Sequence, residues 1–498
     1  MSSIPDNLGP TKRSTTSTST STSPNSTENE LSTLHSNHLN DAGNKSNDHY
    51  KSKLSPLRYK LRALCLPIIR KETEILANMQ KKVRHPILDF YFAWTANLAS
   101  HTFYVLMLPL PIWFGASTLS RDLLAVLGLG IFITGNLKDF LCLPRPRSPP
   151  LHRITMSSYT TQEYGFPSSH SANATAVTLV LLAKLFEFQD TLEPLTKVSI
   201  FCFLIIYYFS LIFGRLYCGM HGFFDVFTGS VIGFLLFLFR FFFGKQWDQW
   251  LLATHNESAM GLIFTPLSII AGYVLLIHFH VEPVDDCPCF DDSVAFIGVL
   301  IGIDISHWLL NITNYLTYKN PFEEPIIVRY DFDEFGLVKS IIRVVMGVTF
   351  VVIWKTISKP VIFTVLPPIY KFIGVYLPRK NYQPTAFSKK TTRQIRSQSL
   401  SNMEGSQSIG DINTFIKGVT DHNQIDEVGP ENDIDYYEML DYEKKLGHEN
   451  SSKTVQPISG VFKSRYDVEI VGRLIIYAGV STTAVWGFAF GTELFGLN

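Results

Sequence analysis

Three short stretches of this chain carry side chains that could act on an anion. Lys138 and Arg145 lie seven residues apart in KDFLCLPRP, at the end of a long apolar run. Ser168, Ser169 and His170 follow Pro167 in YGFPSSHSANA, and Arg215, His221 and Asp225 share GRLYCGMHGFFD. One ammonium and two planar guanidiniums suit the oxygens of a phosphate group. A serine entering a helix can cap it, and the free N–H groups of a first turn attract anions. Asp225, four residues after His221, could hold one ring nitrogen and leave the other free to attack. A lone cation beside an apolar segment usually snorkels to the headgroups, and a lone His–Asp pair means little. The ordered conjunction of three clusters is what points to chemistry.

The elements that position these residues are membrane helices. Hydrophobic residues make up 46 % of the 498, phenylalanine alone counts 38, and charged residues reach only 17 %. Soluble domains usually carry roughly 25 % charged residues. The expected fold is all-α, a polytopic helical bundle of about 8–10 spans. Apolar segments fall at about 90–115, 119–137, 171–187, 197–214, 222–243, 259–280, 293–311, 339–357, 359–377 and 471–492. Pro360, Pro367 and Pro368 raise the alternative of one span plus a re-entrant piece in 339–377. Clusters one and two share a loop, and a helical hairpin separates His170 from Arg215. Parity therefore brings all three to one membrane face.

The remaining segments divide by composition. Residues 1–50, rich in Ser, Thr and Asn, read as a disordered tail, and 51–88 as a basic, amphipathic membrane-surface segment. The catalytic core is expected over 89–245, further spans over 246–378, a polar and largely disordered insert over 379–470, and a last span over 471–498. RYDFDEFG and RYDVEIVG each precede an apolar segment, as a repeated helix-entry motif would. Cys287 and Cys289, the closest pair among six cysteines, could be a disulfide or two ordinary thiols. A net charge of zero gives no footprint for nucleic acid.

These motifs resemble the type 2 phosphatidic-acid phosphatase superfamily, whose signature runs K-x6-R-P, P-S-x-H and S-R-x5-H-x3-D. Here Gly214 stands at the signature serine, and PSSH replaces the commoner PSGH. FLCLPRPRSPP, EYGFPSSHS and RYDVEIVGRLIIYAG narrow the resemblance to sphingosine-1-phosphate and fungal long-chain-base phosphate phosphatases. The resemblance implies a metal-independent enzyme, without cofactor, that dephosphorylates sphingoid base 1-phosphates. It assigns His221 as nucleophile, Asp225 as its orienting partner and His170 as proton donor and then base. Lys138, Arg145, Arg215, Ser168 and Ser169 would bind the phosphoryl oxygens. It also implies an endoplasmic reticulum membrane protein with a lumenal site. Phosphatidate or an isoprenoid diphosphate are alternative substrates, and a non-catalytic transporter or scaffold is a remote alternative.

Charge agrees with a lumenal site in part. Lys184, Lys197, Arg240 and Lys245 lie on the face opposite the clusters, whereas the cluster-side loop HVEPVDDCPCFDD is acidic. The basic segment 51–88 opposes this, because two spans before Lys138 put it on the cluster side.

Overall fold

The computed structural model describes residues 41–99, 101–156, 162–253, 258–285, 287–313, 318–319, 325–373 and 466–497. The insert expected over 379–470 lies almost wholly outside them, as does Arg465 of the second RYD motif. Among the described residues the chain is helical, apart from a two-residue antiparallel pairing of Tyr318–Lys319 with Pro325–Ile326.

Two elements come first, the short α1 (Asn47–Lys53) and the long α2 (Pro56–Val83). The chain then breaks into α3 (Pro86–Thr95), a 3-10 turn (Ala96–Ala99), α4 (His101–Met107) and α5 (Leu110–Trp113). Regular helices follow: α6 (Ser117–Leu141), α7 (Ser169–Glu187), α8 (Pro194–Tyr217), α9 (Phe223–Leu251), α10 (Ala259–Phe279) and α11 (Cys289–Ile312). The last are α12 (Phe332–Phe372) and α13 (Val468–Thr482), which continues through a π turn into α14 (Phe488–Leu494).

Among the described residues, seven helices are long and apolar enough to cross a membrane: α6, α8, α9, α10, α11, α12 and the α13–α14 unit. The expected span over 90–115 is instead broken, with prolines at 109 and 111 interrupting regular hydrogen bonding. Segment 339–357 and the part of 359–377 up to Phe372 are one continuous helix, α12, despite Pro360, Pro367 and Pro368. Its only non-helical backbone is at Gly336, near the start. The 171–187 segment does form a 19-residue helix, α7, but a different kind from its neighbours. Ser171, Asn173, Thr175 and Thr178 are buried along it, because α6, α8 and α9 enclose it. Its environment is protein, so it tolerates polar residues that a lipid-facing helix would not. The outward faces of α8 and α9 are the reverse, exposing Phe201, Phe203, Phe209, Phe227, Phe239 and Phe243. In water such a surface would be an interaction patch; here it is the face a bilayer covers.

Helix α9 approaches α7 at backbone distance. A Cβ at Gly229 would collide with the Ser168 carbonyl, and one at Gly233 with the Ala172 carbonyl. This small-xxx-small contact locks the start of α7 to the start of α9, where the Ser168 amide donates to the Asp225 carbonyl at 3.0 Å. The main apolar core runs between α6, α11 and the α13–α14 unit, around Leu127, Ile131, Ile297, Leu300 and Phe488.

Order begins earlier than composition suggests. Residues 41–54, assigned to the tail and the surface segment, are tied down on the loop before α11. Asp285 accepts from the Gly43 amide at 3.0 Å and from the Tyr50 hydroxyl at 2.5 Å. Arg62 lies 3.8 Å from the centre of the Tyr50 ring. Cys287 and Cys289 are joined as a disulfide where that loop enters α11. The RYD motifs act as helix entries: Asp467 caps α13 through the Ile470 amide at 2.8 Å, and Asp331 accepts from the Asp333 amide at 3.0 Å.

Candidate active site

Four helix ends meet at one end of the bundle. Lys138 sits on the last turn of α6, Ser169 and His170 open α7, Arg215 lies on the last turn of α8, and Asp225 on the first turn of α9. Arg145 comes from the loop after α6 and His221 from the turn between α8 and α9. The sequence expectation of one shared face is therefore met by geometry.

The imidazole of His221 is 2 % exposed and held from both nitrogens. Nδ1 lies 2.8 Å from the Gly165 carbonyl, and Nε2 lies 3.2 Å from Nη1 of Arg145. A carbonyl only accepts and a guanidinium only donates, so the proton is on Nδ1 and the lone pair on Nε2. Burial, then the nearby charges of Arg145, Lys138, Arg215 and His170, hold the ring well below the ordinary histidine range. A neutral ring with Nε2 unprotonated is the nucleophilic form. The expected orienting partner, Asp225, stands 3.8 Å from Nδ1, beyond hydrogen-bond range. Its Oδ2 instead accepts from the Gly222 amide at 2.8 Å, and its Oδ1 is buried without a hydrogen-bond partner among the described residues. Gly165 thus fixes the tautomer, and Asp225 braces the turn that carries the ring.

The cations differ in what they hold. Lys138 Nζ donates to Glu163 Oε2 at 2.5 Å and to Ser169 Oγ at 3.3 Å. Arg145 lies 3.5 Å from the same Glu163 oxygen and donates to the Met220 carbonyl at 2.9 Å. Burial lowers Arg145 to about 10, which leaves it charged at neutral pH. Arg215 is 5 % exposed, and among the described residues it makes no side-chain hydrogen bond or ion pair and buries its Nε without a partner. Glu163 acts on it only from a distance, and a buried cation without a direct ion-pair partner is costly unless a ligand supplies one. Ser169 and His170 are half-buried at the same mouth. Ser168 is different: its hydroxyl caps α7, accepting from the Ser171 amide at 3.3 Å and from the Ser171 hydroxyl at 3.0 Å. Its oxygen serves the helix, whereas the Ser169 hydroxyl faces Lys138.

The sequence reading did not single out Glu163 or Gly165, although both stand in the EYGFPSSHS stretch. It also missed what α2 does. This helix is a splint across the elements that carry the site. Arg58 donates to the carbonyls of Asp139 and Phe140 at the end of α6, at 2.7 and 2.9 Å, and Arg62 donates to that of Cys142. Thr73 accepts from the Arg147 amide at 3.4 Å. Gln80 ties His152 to the Tyr217 carbonyl at the end of α8, and Glu72 accepts from the Phe224 amide of α9 at 3.0 Å. Cations meet helix C-termini and an anion meets a helix N-terminus, so each charge suits its dipole. The opposite stripe of α2 exposes Leu57, Leu61, Leu64, Ile68 and Ile75, as an interfacial helix does.

Comparison with known proteins bears on this arrangement. The profile of the PAP2 superfamily matches residues 119–248. A dihydrosphingosine 1-phosphate phosphatase of Saccharomyces cerevisiae is 40 % identical over 335 residues, covering 67 % of this chain and 78 % of that protein. A dihydrosphingosine 1-phosphate phosphatase of Schizosaccharomyces pombe is 33 % identical over 427 residues, covering 85 % of this chain and 88 % of that one. Sphingosine-1-phosphate phosphatase 2 of Homo sapiens is 30 % identical over 236 residues, 47 % of this chain and 55 % of its own. No solved structure matches.

Proposed function

The chain belongs to the PAP2 superfamily and is a lipid phosphate phosphatase; on that premise we propose that it hydrolyses sphingoid base 1-phosphates to the free base through a phosphohistidine on His221. The single observation that carries the reading is the convergence of Lys138, Arg145 and the unpaired Arg215 on a neutral, buried His221.

In the first step Nε2 attacks phosphorus and forms an N–P bond. The P–O bond to the lipid breaks, and protonated His170 gives its proton to the departing alkoxide. In the second step a water attacks the phosphoimidazole, His170 takes the water proton, and the N–P bond breaks to release inorganic phosphate. Phosphoryl transfer asks chiefly for positioning and charge stabilisation. The three cations, Ser169 and the first-turn amides of α7 supply both. The Gly165 carbonyl holds Nδ1–H throughout, so the charge developing on the ring meets an acceptor. Protein cations occupy the role that a metal fills in other phosphoryl-transfer sites, and the proposal includes no metal and no cofactor.

We place the enzyme in the endoplasmic reticulum membrane with the site on the lumenal face. The Cys287–Cys289 disulfide lies on the site face and favours an oxidising compartment. Exposed Lys60, Lys71, Lys81 and Lys82 of α2 lie on the same face and weigh against it. A glycosylation acceptor introduced in the 281–288 loop decides between them: glycan addition supports the lumenal side, and an unmodified protein overturns it.

The substrate is tested with membranes containing the expressed chain, assayed in parallel on dihydrosphingosine 1-phosphate, phosphatidate and a polyprenyl diphosphate. Preferential release of phosphate from the first is expected. Equal or greater rates on the others would make the chain a broader lipid phosphatase.

A further inference from the structure

Glu72 is an α2 carboxylate that reaches the reacting end of the bundle. Its Oε1 accepts from the Phe224 amide at 3.0 Å, within the first turn of α9. Its Oε2 is shut off from solvent and has no hydrogen-bond partner among the described residues. A Cβ at residue 222 would collide with Oε2 and would lie 3.6 Å from Oδ2 of Asp225. A side chain at position 222, directly after His221, would therefore have to displace the end of Glu72. Glu72 and Asp225 therefore flank the Gly222 backbone from two helices, beside the residue that carries the imidazole.

We propose that Glu72 is a positioning residue of the reaction, which clamps the His221–Gly222 turn onto α9 and supplies negative charge behind His221 and Asp225. The inference rests on the phosphatase reading and deepens it. It extends the functional unit to α2, outside residues 119–248 that the superfamily profile matches.

The physical case has two parts. First, the backbone angle at Gly222 sets where Nε2 points, and a misplacement of about 1 Å at a reacting atom can cost about 100-fold in rate. Second, the charge acts on a crowded field. His221 faces Arg145 and Lys138 from the α6 side, Arg215 from α8, His170 from α7 and Asp225 from α9. Glu163 pairs with the first two. Glu72 sets its charge beside Asp225; negative charge on that side favours the protonated ring, so removing it favours the neutral ring. Burial pushes the Glu72 carboxyl up, and the hydrogen bond from the Phe224 amide opposes that.

The test compares Glu72→Ala, Glu72→Gln, Gly222→Ala and the Glu72→Ala/Gly222→Ala double variant in the full chain, on dihydrosphingosine 1-phosphate in mixed micelles. Glu72→Ala is expected to lower kcat by about 10- to 100-fold with KM within about twofold. Glu72→Gln keeps an acceptor for the Phe224 amide and is expected to recover most of kcat. It is also expected to move the acid limb of kcat/KM to lower pH by up to about one unit, because a charge near the imidazole is gone. Gly222→Ala is expected to cost more in the wild-type background than in the Glu72→Ala background, where the collision is relieved. A glutamine variant with wild-type rate and an unmoved acid limb overturns the electrostatic role. Equal cost of Gly222→Ala in both backgrounds overturns the clamp. Should the Glu72→Ala variant misfold, the Glu72→Gln profile still decides. A wild type active on these lipids beside indistinguishable variants overturns the role of Glu72 alone. A wild type inactive on every phosphate lipid overturns the phosphatase reading and this proposal with it.

Discussion

At each end of the bundle the chain buries arginines among carboxylates, and the two ends differ in what is left over. Away from the site, Arg240 donates to Asp122 at 2.7 Å and to Asp248 at 2.8 Å, and Arg121 reaches Asp248 at 3.3 Å. Two arginines there meet two aspartates, and Asp304 is held nearby by the Tyr273 hydroxyl at 2.8 Å. At the site end Lys138 and Arg145 share one carboxylate, Glu163, and Arg215 has none among the described residues. A network in which every arginine meets a carboxylate fixes helix positions, even with Arg121 Nε and Asp248 Oδ1 left without a hydrogen-bond partner among the described residues. One that leaves a buried arginine without an ion-pair partner costs stability and is kept where a ligand brings the missing charge. Burial alone does not separate structure from function in this membrane protein; charge balance does.

The contrast can be broken most severely at the nucleophile. His221→Ala should reduce phosphate release by on the order of 10⁴-fold with the protein still in the membrane fraction; turnover near wild type would remove the nucleophile from the scheme. Arg215→Ala should lower kcat/KM by about 100- to 1,000-fold while leaving thermal stability in detergent equal or higher, since it deletes an unpaired buried charge. Arg240→Ala should do the opposite. It strands Asp122, leaves Asp248 with Arg121 alone and should destabilise by about 3–5 kcal/mol, with the kcat of surviving folded enzyme changed by less than about tenfold. If the Arg215 variant melts early and the Arg240 variant is silent, charge balance is not what distinguishes the two ends.

A smaller effect sharpens the same point through pH. His221 is held neutral below the ordinary histidine range, so lowering pH through about 6.5 should not yet protonate the nucleophile. The acid limb of kcat/KM should lie below that value, and a limb at or above it would show that the cations do not act on the ring as described. The smallest effect is expected from chelation: EDTA should leave the rate unchanged, and loss restored by Mg²⁺ would replace the cation triad with a metal.

Much of this was legible in the sequence because membrane helices confine what a motif can do. Parity alone brought Lys138, His170 and Arg215 to one face, since each span reverses direction. Spacing could not show which atom holds which. Asp225 at i+4 from His221 looked like its hydrogen-bond partner, but α9 starts at Phe223, so the helical spacing does not yet apply at His221 and a carbonyl takes the contact. Ser168 and Ser169 looked equivalent, yet the first turn of α7 uses one as a cap and turns the other to Lys138. Glu163 stood near a motif with no periodicity to mark it. The role of α2 was hidden for another reason: its amphipathic pattern was visible, but composition cannot say whether the polar face meets water or a loop. The three prolines of α12 misled in the other direction, since the helix runs through all of them to Phe372.

The shared carboxylate of Lys138 and Arg145 has a kinetic corollary. Without lipid these two cations already share one carboxylate from within the chain, so on the proposed reading an incoming phosphate competes with Glu163 for them. The same competition runs in reverse when inorganic phosphate departs. An internal competitor of this kind flattens the affinity for any small oxyanion in the aqueous phase, and lets the lipid, which adds its apolar chain to the balance, displace free phosphate from the pocket.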